Sequence, residues 1–370
     1  MHSHPHTDVV GSMLRPPSLL AARDALAAGT ITPAEFKRVE DTAVDDALAA
    51  QEAAGLEVVT DGEMRRTSFQ SQLTEAVDGF ANATIDAFLW GDWHGDEAVG
   101  DANRPRPEGL SVSGRLRVRR RLSTEEFAYL RARTSRIPKV TLPSPTLFAS
   151  VWQGPDAEGA YPTIEAFVED VARIMRDEVA ELVRLGCEYI HLDAPHYPLV
   201  LDPSWAGFFA ARGWSAEDWV AYGVELDNWV MDGWPGVTFG FHLCKGNQGS
   251  RWLVEGGYDS MVDTVLRRVT AQRLLLEYDD ARSGGFEPLR GVPDDRVVVL
   301  GLVTTKSGRL ERQKDLLARI DDAARHFPRE QLALSPQCGF GTSLVGNNLT
   351  IDEQNAKLRL VSDTAKRAWG

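Results

Sequence analysis

The sequence is poor in cysteine: Cys187, Cys244 and Cys338 are the only three in 370 residues. An odd, sparse set builds no disulfide framework, so any chemical use of these thiols is as thiolates, for a metal or a reaction. The plainer alternative is three small buried hydrophobes. Long apolar runs are also missing. No window nears the roughly 18 consecutive apolar residues that mark a transmembrane helix, which argues against a membrane span. Positive charge is not in excess either. Lys and Arg number 40 against 54 Asp and Glu, a net charge of −14, which speaks against a sequence-independent nucleic-acid partner. The opening residues Met1 to His6 carry no apolar h-region, so the expected compartment is the cytoplasm. The His2, His4, His6 series reads as a disordered tip rather than a metal site.

What is present is an alternation of short β-branched runs and longer amphipathic stretches. Runs at 8–12, 57–63, 139–145, 188–195, 237–244, 273–278, 296–306 and 331–339 read as eight strands. They are nearly continuous in apolar residues, as buried parallel strands are. Thr32-Pro33-Ala34-Glu35 is a capping box that opens a helix to about Gly55. The stretch 163–185 has apolar residues at helical spacing and stops at Gly186. Further helices are expected from Ser215, over 310–326 and over 351–369. Eightfold alternation predicts an α/β fold, a (β/α)8 TIM barrel forming a single catalytic domain over 1–370, with an open doubly wound sheet as fallback. Residues 64–138 are too long for a simple crossover. They read as an insertion, an excursion with a β-hairpin around the basic segment 116–121 and a capped helix from Ser123. Its arginines suit a solvated strand face better than a substrate contact.

The chemistry gathers at the C-terminal strand ends, which form the active-site face of such a barrel. These ends carry Gly11-Ser12, Asp61-Gly62-Glu63, Ser144, His191 and Asp193, His242 and Cys244, Glu277, Lys306 and Cys338. Polar groups ending otherwise apolar strands are costly as core. His242-Leu243-Cys244 puts a nitrogen and a sulfur on one strand face, since side chains alternate with period two. With Glu277 and Cys338 they make a tetrahedral zinc set, too soft for magnesium or calcium. A zinc held by two thiolates is poor at making hydroxide and better suited to keeping another thiol ionised, which points to alkylation of an exogenous thiol. Glu63 and Asp193 suit an ammonium group, and Ser12 with the amides beside Gly11 suits a carboxylate. Together they would recognise an amino acid zwitterion. The alternative for Glu63 is simple pairing with Arg65 or Arg66.

On Val10-Gly11-Ser12 with Leu14-Arg15-Pro16, Asp61-Gly62-Glu63, Leu192-Asp193-Ala194-Pro195, His242-Leu243-Cys244, Glu277 and Pro336-Gln337-Cys338-Gly339-Phe340, the sequence resembles the cobalamin-independent methionine synthase superfamily. The likeness covers nearly the whole chain and is to the catalytic C-terminal barrel, in a short single-barrel branch. The resemblance implies zinc ligation by His242, Cys244, Glu277 and Cys338, with Ser12, Glu63 and Asp193 around homocysteine. It departs at two places. Thr304-Thr305-Lys306-Ser307 stands where methionine synthases carry an Asp-Ile-His-Ser-like stretch with a proton-donating His, so Lys306 is the expected handler of the leaving group. Leu199 stands where the family has a folate-contacting glutamate. The methyl or alkyl donor is therefore open, a folate among the choices.

The 301–306 stretch is also similar to that of epoxyalkane:coenzyme M transferases, so thiol addition to an epoxide is the nearest rival. A metal-independent lyase like the uroporphyrinogen decarboxylases, or a non-catalytic thiol- or zinc-binding protein, are rivals of other classes. Loop Trp and Tyr suit either a homo-oligomer interface or a platform for the donor. Cys187, before the fourth strand, is read as a bystander.

Overall fold

The computed structural model describes residues 4–83, 93–95, 109–203 and 206–370. Its strands are β1 (Val58–Val59), β2 (Val77–Ala83), β3 (Gly109–Val118), β4 (Ile137–Pro143), β5 (Tyr189–Asp193), β6 (Thr238–Leu243), β7 (Arg273–Glu277), β8 (Val297–Val303) and β9 (Leu332–Pro336). Seven form one parallel sheet in the order β1-β4-β5-β6-β7-β8-β9, and β2 pairs antiparallel with β3. The parallel sheet is curled, and the segment before the first helix lies against both of its edges. Thr7 bridges Leu334 of β9, and the Asp8 amide donates to the Leu334 carbonyl at 3.0 Å. On the other side Thr60 Oγ1 donates to the Gly11 carbonyl at 2.7 Å, and the Met13 amide to the Gly62 carbonyl at 3.0 Å.

Long helices cover the outer face, including Pro33–Ala53, Ile164–Arg184, Ala216–Met231, Gln313–Ala323 and Ile351–Trp369. Thr32 and Glu35 form the reciprocal capping box that the sequence predicts, and Gly186 takes the left-handed conformation (φ 84°) that ends the second of these helices. Among the described residues no helix is long and apolar enough to cross a membrane.

Period-two alternation divides the sheet residues. Leu192, Phe241, Leu274, Leu276, Val298 and Leu300 join the large core shared with the helices. Val10, Leu275, Val297, Val299 and Ala333 make a second, separate apolar cluster. Below it lies a polar layer, in which Asp8 is bonded by Lys139, Arg273 and Tyr189 at 2.9, 3.0 and 2.7 Å.

Several details differ from the sequence reading. The run at 57–63 gives only the two residues of β1, because Gln51 takes both the amide and the carbonyl of Thr60 (3.0 and 2.8 Å), and Gly62 and Glu63 then turn left-handed. The run at 8–12 forms no strand, the one bridge being at Thr7 just before it, and its backbone is drawn to Asp8 and Lys139 side chains. The helix Thr124–Arg131 is not capped by Ser123. Glu178 from another helix accepts from the amides of Ser123 and Thr124 at 2.7 and 3.0 Å. The amino-terminal histidines are not all a loose tip: His6 stacks on Trp369 (ring centroids 4.8 Å apart) and bonds the Leu332 carbonyl, while His2 lies outside the described residues. Residues 84–92 and 96–108 of the 64–138 insertion also lie outside them.

Candidate functional site

His242 is the penultimate residue of β6 and Cys244 follows directly after the strand's end, and the loop after β9 brings Cys338 to meet them. One ligand atom from each of the three lies within 4.8 Å of the other two, and all three residues are buried. His242 Nδ1 sits 3.2 Å from the Leu275 carbonyl, which makes it the protonated nitrogen and leaves Nε2 with a free lone pair. That Nε2 is buried with no hydrogen-bond partner. Between the thiols the proton favours Cys244: Cys338, accepting from it, is held below the ordinary thiol range, and Cys244 is pushed well above.

Glu277, at the end of β7, borders this group without joining it. Its Oε1 accepts from Arg282 Nη2 at 2.9 Å and Lys306 Nζ at 3.1 Å, and its Oε2 from the Lys245 amide at 2.8 Å. Burial works against its charge, yet Lys306 and Arg282 prevail and hold the carboxyl down at about 2. Lys306 also lies 3.5 Å from Asp279 Oδ2. Burial alone would strip its proton, but Asp279 and Glu277 outweigh it and raise its pKa. It is a clamped ammonium.

Glu63 is placed by strained backbone. Its φ of 54° is rare for a non-glycine residue, and three contacts impose it. Asp61 Oδ1 accepts from its amide at 2.9 Å, Arg15 Nη2 donates to its carbonyl at 2.9 Å, and Thr60 Oγ1 accepts from the Gly62 amide at 3.2 Å. The side chain accepts from Thr141 Oγ1 at 2.7 Å through Oε1, while the buried Oε2 has no partner. Arg66 stands 3.4 Å from Oε1 but spends its closest contacts on Glu126 and Thr141. Burial pushes the Glu63 carboxyl up to about 7, Arg66 opposing and the Asp193 charge adding to it.

Gly11 is needed at this spot: a Cβ there would lie 2.6 Å from Glu63 Oε1 and 2.9 Å from Thr141 Cγ2. Asp193, the last residue of β5, accepts from His191 Nε2 at 3.0 Å through Oδ1. Ser12 is buried against the Cys338 loop, where a Cβ on Gly339 would lie 2.0 Å from its Oγ, and its carbonyl accepts from the Phe340 amide at 2.9 Å.

The structure thus brings His242, Cys244 and Cys338 together, sets Glu277 and Lys306 beside them as an ion pair, and couples Glu63 to Asp193 through their charges. Sequence reasoning missed several residues that support these. Thr141 holds Glu63. Tyr258 braces the ends of β6 and β7, donating to the Leu243 carbonyl and accepting from the Glu277 amide, both at 2.9 Å. Asn247 donates to Thr305 Oγ1 and the Gly339 carbonyl at 3.1 and 2.8 Å and accepts from Asn347, tying three loops together. Lys139 lies beneath Asp193, against His191, which the sequence already placed among the polar strand ends. The signal for Lys139 was a charge inside a greasy strand run, where burial without partners is costly.

The chain matches the family described as "Cobalamin-independent synthase, Catalytic domain" over residues 162–367. It is 34% identical to the uncharacterized protein YxjH of Bacillus subtilis (strain 168), across 98% of this chain and 94% of that protein. It belongs to the cobalamin-independent methionine synthase superfamily. Within it, the Methionine synthase of Pyrococcus abyssi is 26% identical over 90% of this chain and 86% of its own. A B12-independent methionine synthase from Shewanella sp. W3-18-1 shares the superfamily fold, with a TM-score of 0.71 at 18% identity over 98% and 97% of the two chains. Superfamily membership supports a methyltransferase acting on small molecules.

Proposed function

We propose that this chain is a zinc-dependent transferase that moves a methyl or alkyl group onto a thiol, with a homocysteine-like amino thiol as acceptor. The observation that carries the reading is the His242 ring, its Nδ1 tied to the Leu275 carbonyl and its buried Nε2 unpartnered beside two thiols. An imidazole lone pair and two thiols suit an ion that favours nitrogen and sulfur in a tetrahedron, so the residues present fit zinc. His242, Cys244 and Cys338 would hold it, with Glu277 as the fourth ligand once its carboxylate turns from Lys306. When bound, zinc supplies the positive charge that keeps an acceptor thiol ionised near neutral pH.

The chain's own residues do the rest. Glu63 and Asp193 receive the acceptor's ammonium, and Ser12 with the amides beside Gly11 receives its carboxylate. This orients the sulfur for in-line attack on an electrophilic carbon: a sulfur–carbon bond forms as the donor's leaving group departs with its electron pair. Lys306 meets the negative charge on that leaving group. In this reading the curled sheet and the 6–13 segment close as a (β/α)8 barrel, one catalytic domain over 1–370 with 64–138 as an excursion from it, and the protein works in the cytoplasm.

The test is metal content with thiol consumption. The purified protein is expected to hold about one zinc per chain, and Cys244→Ala or Cys338→Ala to lose it. Homocysteine should be consumed only by the zinc-loaded form, when paired with methyl-tetrahydrofolate, other methyl donors or small epoxides. Stoichiometric zinc and full activity in either variant would overturn the reading.

A further inference from the structure

The polar layer beneath the candidate site ends on Asp193. Lys139 is fully buried, and its ammonium has three N–H donors and no acceptor. Three acceptors surround it: Asp8 Oδ1 at 2.9 Å, the Val9 carbonyl, and His191 Nδ1 at 3.3 Å. Asp8 is in turn fixed as a carboxylate by Lys139, Arg273 and Tyr189, which outweigh its burial and hold it down at about 2. A group that only donates requires a lone pair on His191 Nδ1, so the ring proton must sit on Nε2. Nε2 lies 3.0 Å from Asp193 Oδ1. A ring that accepts from Lys139 at Nδ1 carries a single proton, so a neutral ring makes this bond. The opposite tautomer would aim a lone pair at the carboxylate and turn it away. Among the described residues Asp193 Oδ2 takes no hydrogen bond.

We propose that Asp8, Lys139 and His191 form a tautomer lock in which His191 is a positioning residue: it donates to Oδ1 of Asp193 and leaves Oδ2 to meet a cationic amino group on the acceptor thiol. The ligand half of this inference rests on the amino-thiol reading above, and the lock itself does not.

Two measurements separate them. Nitrogen NMR of the 15N-labelled protein at neutral pH should show His191 as the Nε2–H tautomer; an Nδ1–H or doubly protonated ring overturns the lock. Binding of homocysteine and of 4-mercaptobutanoate, which lacks the amino group, is then measured by calorimetry on zinc-loaded protein. His191→Phe keeps the ring volume and neither polarity, and should weaken homocysteine roughly tenfold to hundredfold with the des-amino thiol unchanged. His191→Gln supplies an oxygen to Lys139 and an amide N–H to Asp193, and should restore most of the affinity. Equal losses for both thiols, or none, overturn the positioning role. If neither thiol binds the parent protein, the amino-thiol reading fails while the NMR result still decides the lock.

Discussion

Lys306 Nζ stands 3.1 Å from Glu277 Oε1, so the carboxylate ending β7 beside the His–Cys–Cys group is held by a lysine from the loop after the next strand. Removing one partner of a buried pair leaves the other charge uncompensated. Lys306→Met is expected to destabilise the protein by about 3 kcal/mol, moderated by Arg282, which also holds Glu277. The folded-state pKa of Lys306 lies above its ordinary 10.5, so the pair's stability is fully present below that value and is lost as pH rises beyond it. Denaturant melts at pH 8 and above pH 11 check this: the gap between parent and variant should narrow at the alkaline end.

Glu63 has the opposite use for its raised pKa. The folded protein holds this proton better than the unfolded chain, so its contribution is present below 4.5 and is lost as pH climbs through about 7. The loss amounts to about 3 kcal/mol. Glu63→Gln should flatten that fall, making the variant more stable than the parent at pH 8 but not at pH 4. An ammonium ligand needs the carboxylate, so amino-thiol affinity of the parent should increase from pH 6 to 8. Calorimetry in buffers of different ionisation heat would show the proton released on binding.

A substitution at Gly11 tests the proposed substrate contacts apart from the proposed metal ligands. Gly11→Ala drives a methyl group into Glu63 Oε1 and Thr141. Its expected cost is about 1–3 kcal/mol in stability, with amino-thiol binding lost and zinc stoichiometry retained. Loss of zinc together with substrate would mean the two halves of the site collapse as one.

Cys187 should be inert. Burial pushes its thiol up to about 12. Iodoacetamide at pH 8 should leave it unlabelled in the folded protein and label it after denaturation, and Cys187→Ala should retain zinc and activity.

The strands from β4 to β9 were legible because each is a largely apolar run bounded by polar or turn residues. The segments at 8–12 and 57–63 have the same composition but shorter ladders, since Gln51, Asp8 and Lys139 side chains replace backbone partners there. The site was legible to the extent that its groups sit at strand ends. His242 and Cys244 share a face by simple alternation, and Cys338 converges on them from beyond β9, at the sheet's edge. The polar layer was not, because the partners of Lys139 lie 131 residues upstream at Asp8 and 52 downstream at His191. No local pattern announces such pairs. Nor does one announce that Glu178 caps a helix starting at Thr124.

The segment carrying Ser12 is stitched to the far end of the polypeptide. The Asp8 amide bonds the Leu334 carbonyl, the Ser12 carbonyl accepts from Phe340, and the Leu14 amide donates to Gln354. During synthesis the first-made wall of the site must therefore wait for residues 332–354 to leave the ribosome. Until then the edge of β8 stays unpaired and the apolar interior is open to water, a state prone to association with other nascent chains. Productive folding should accordingly be late, and sensitive to chaperone supply in a way that the stability of the finished protein does not reveal.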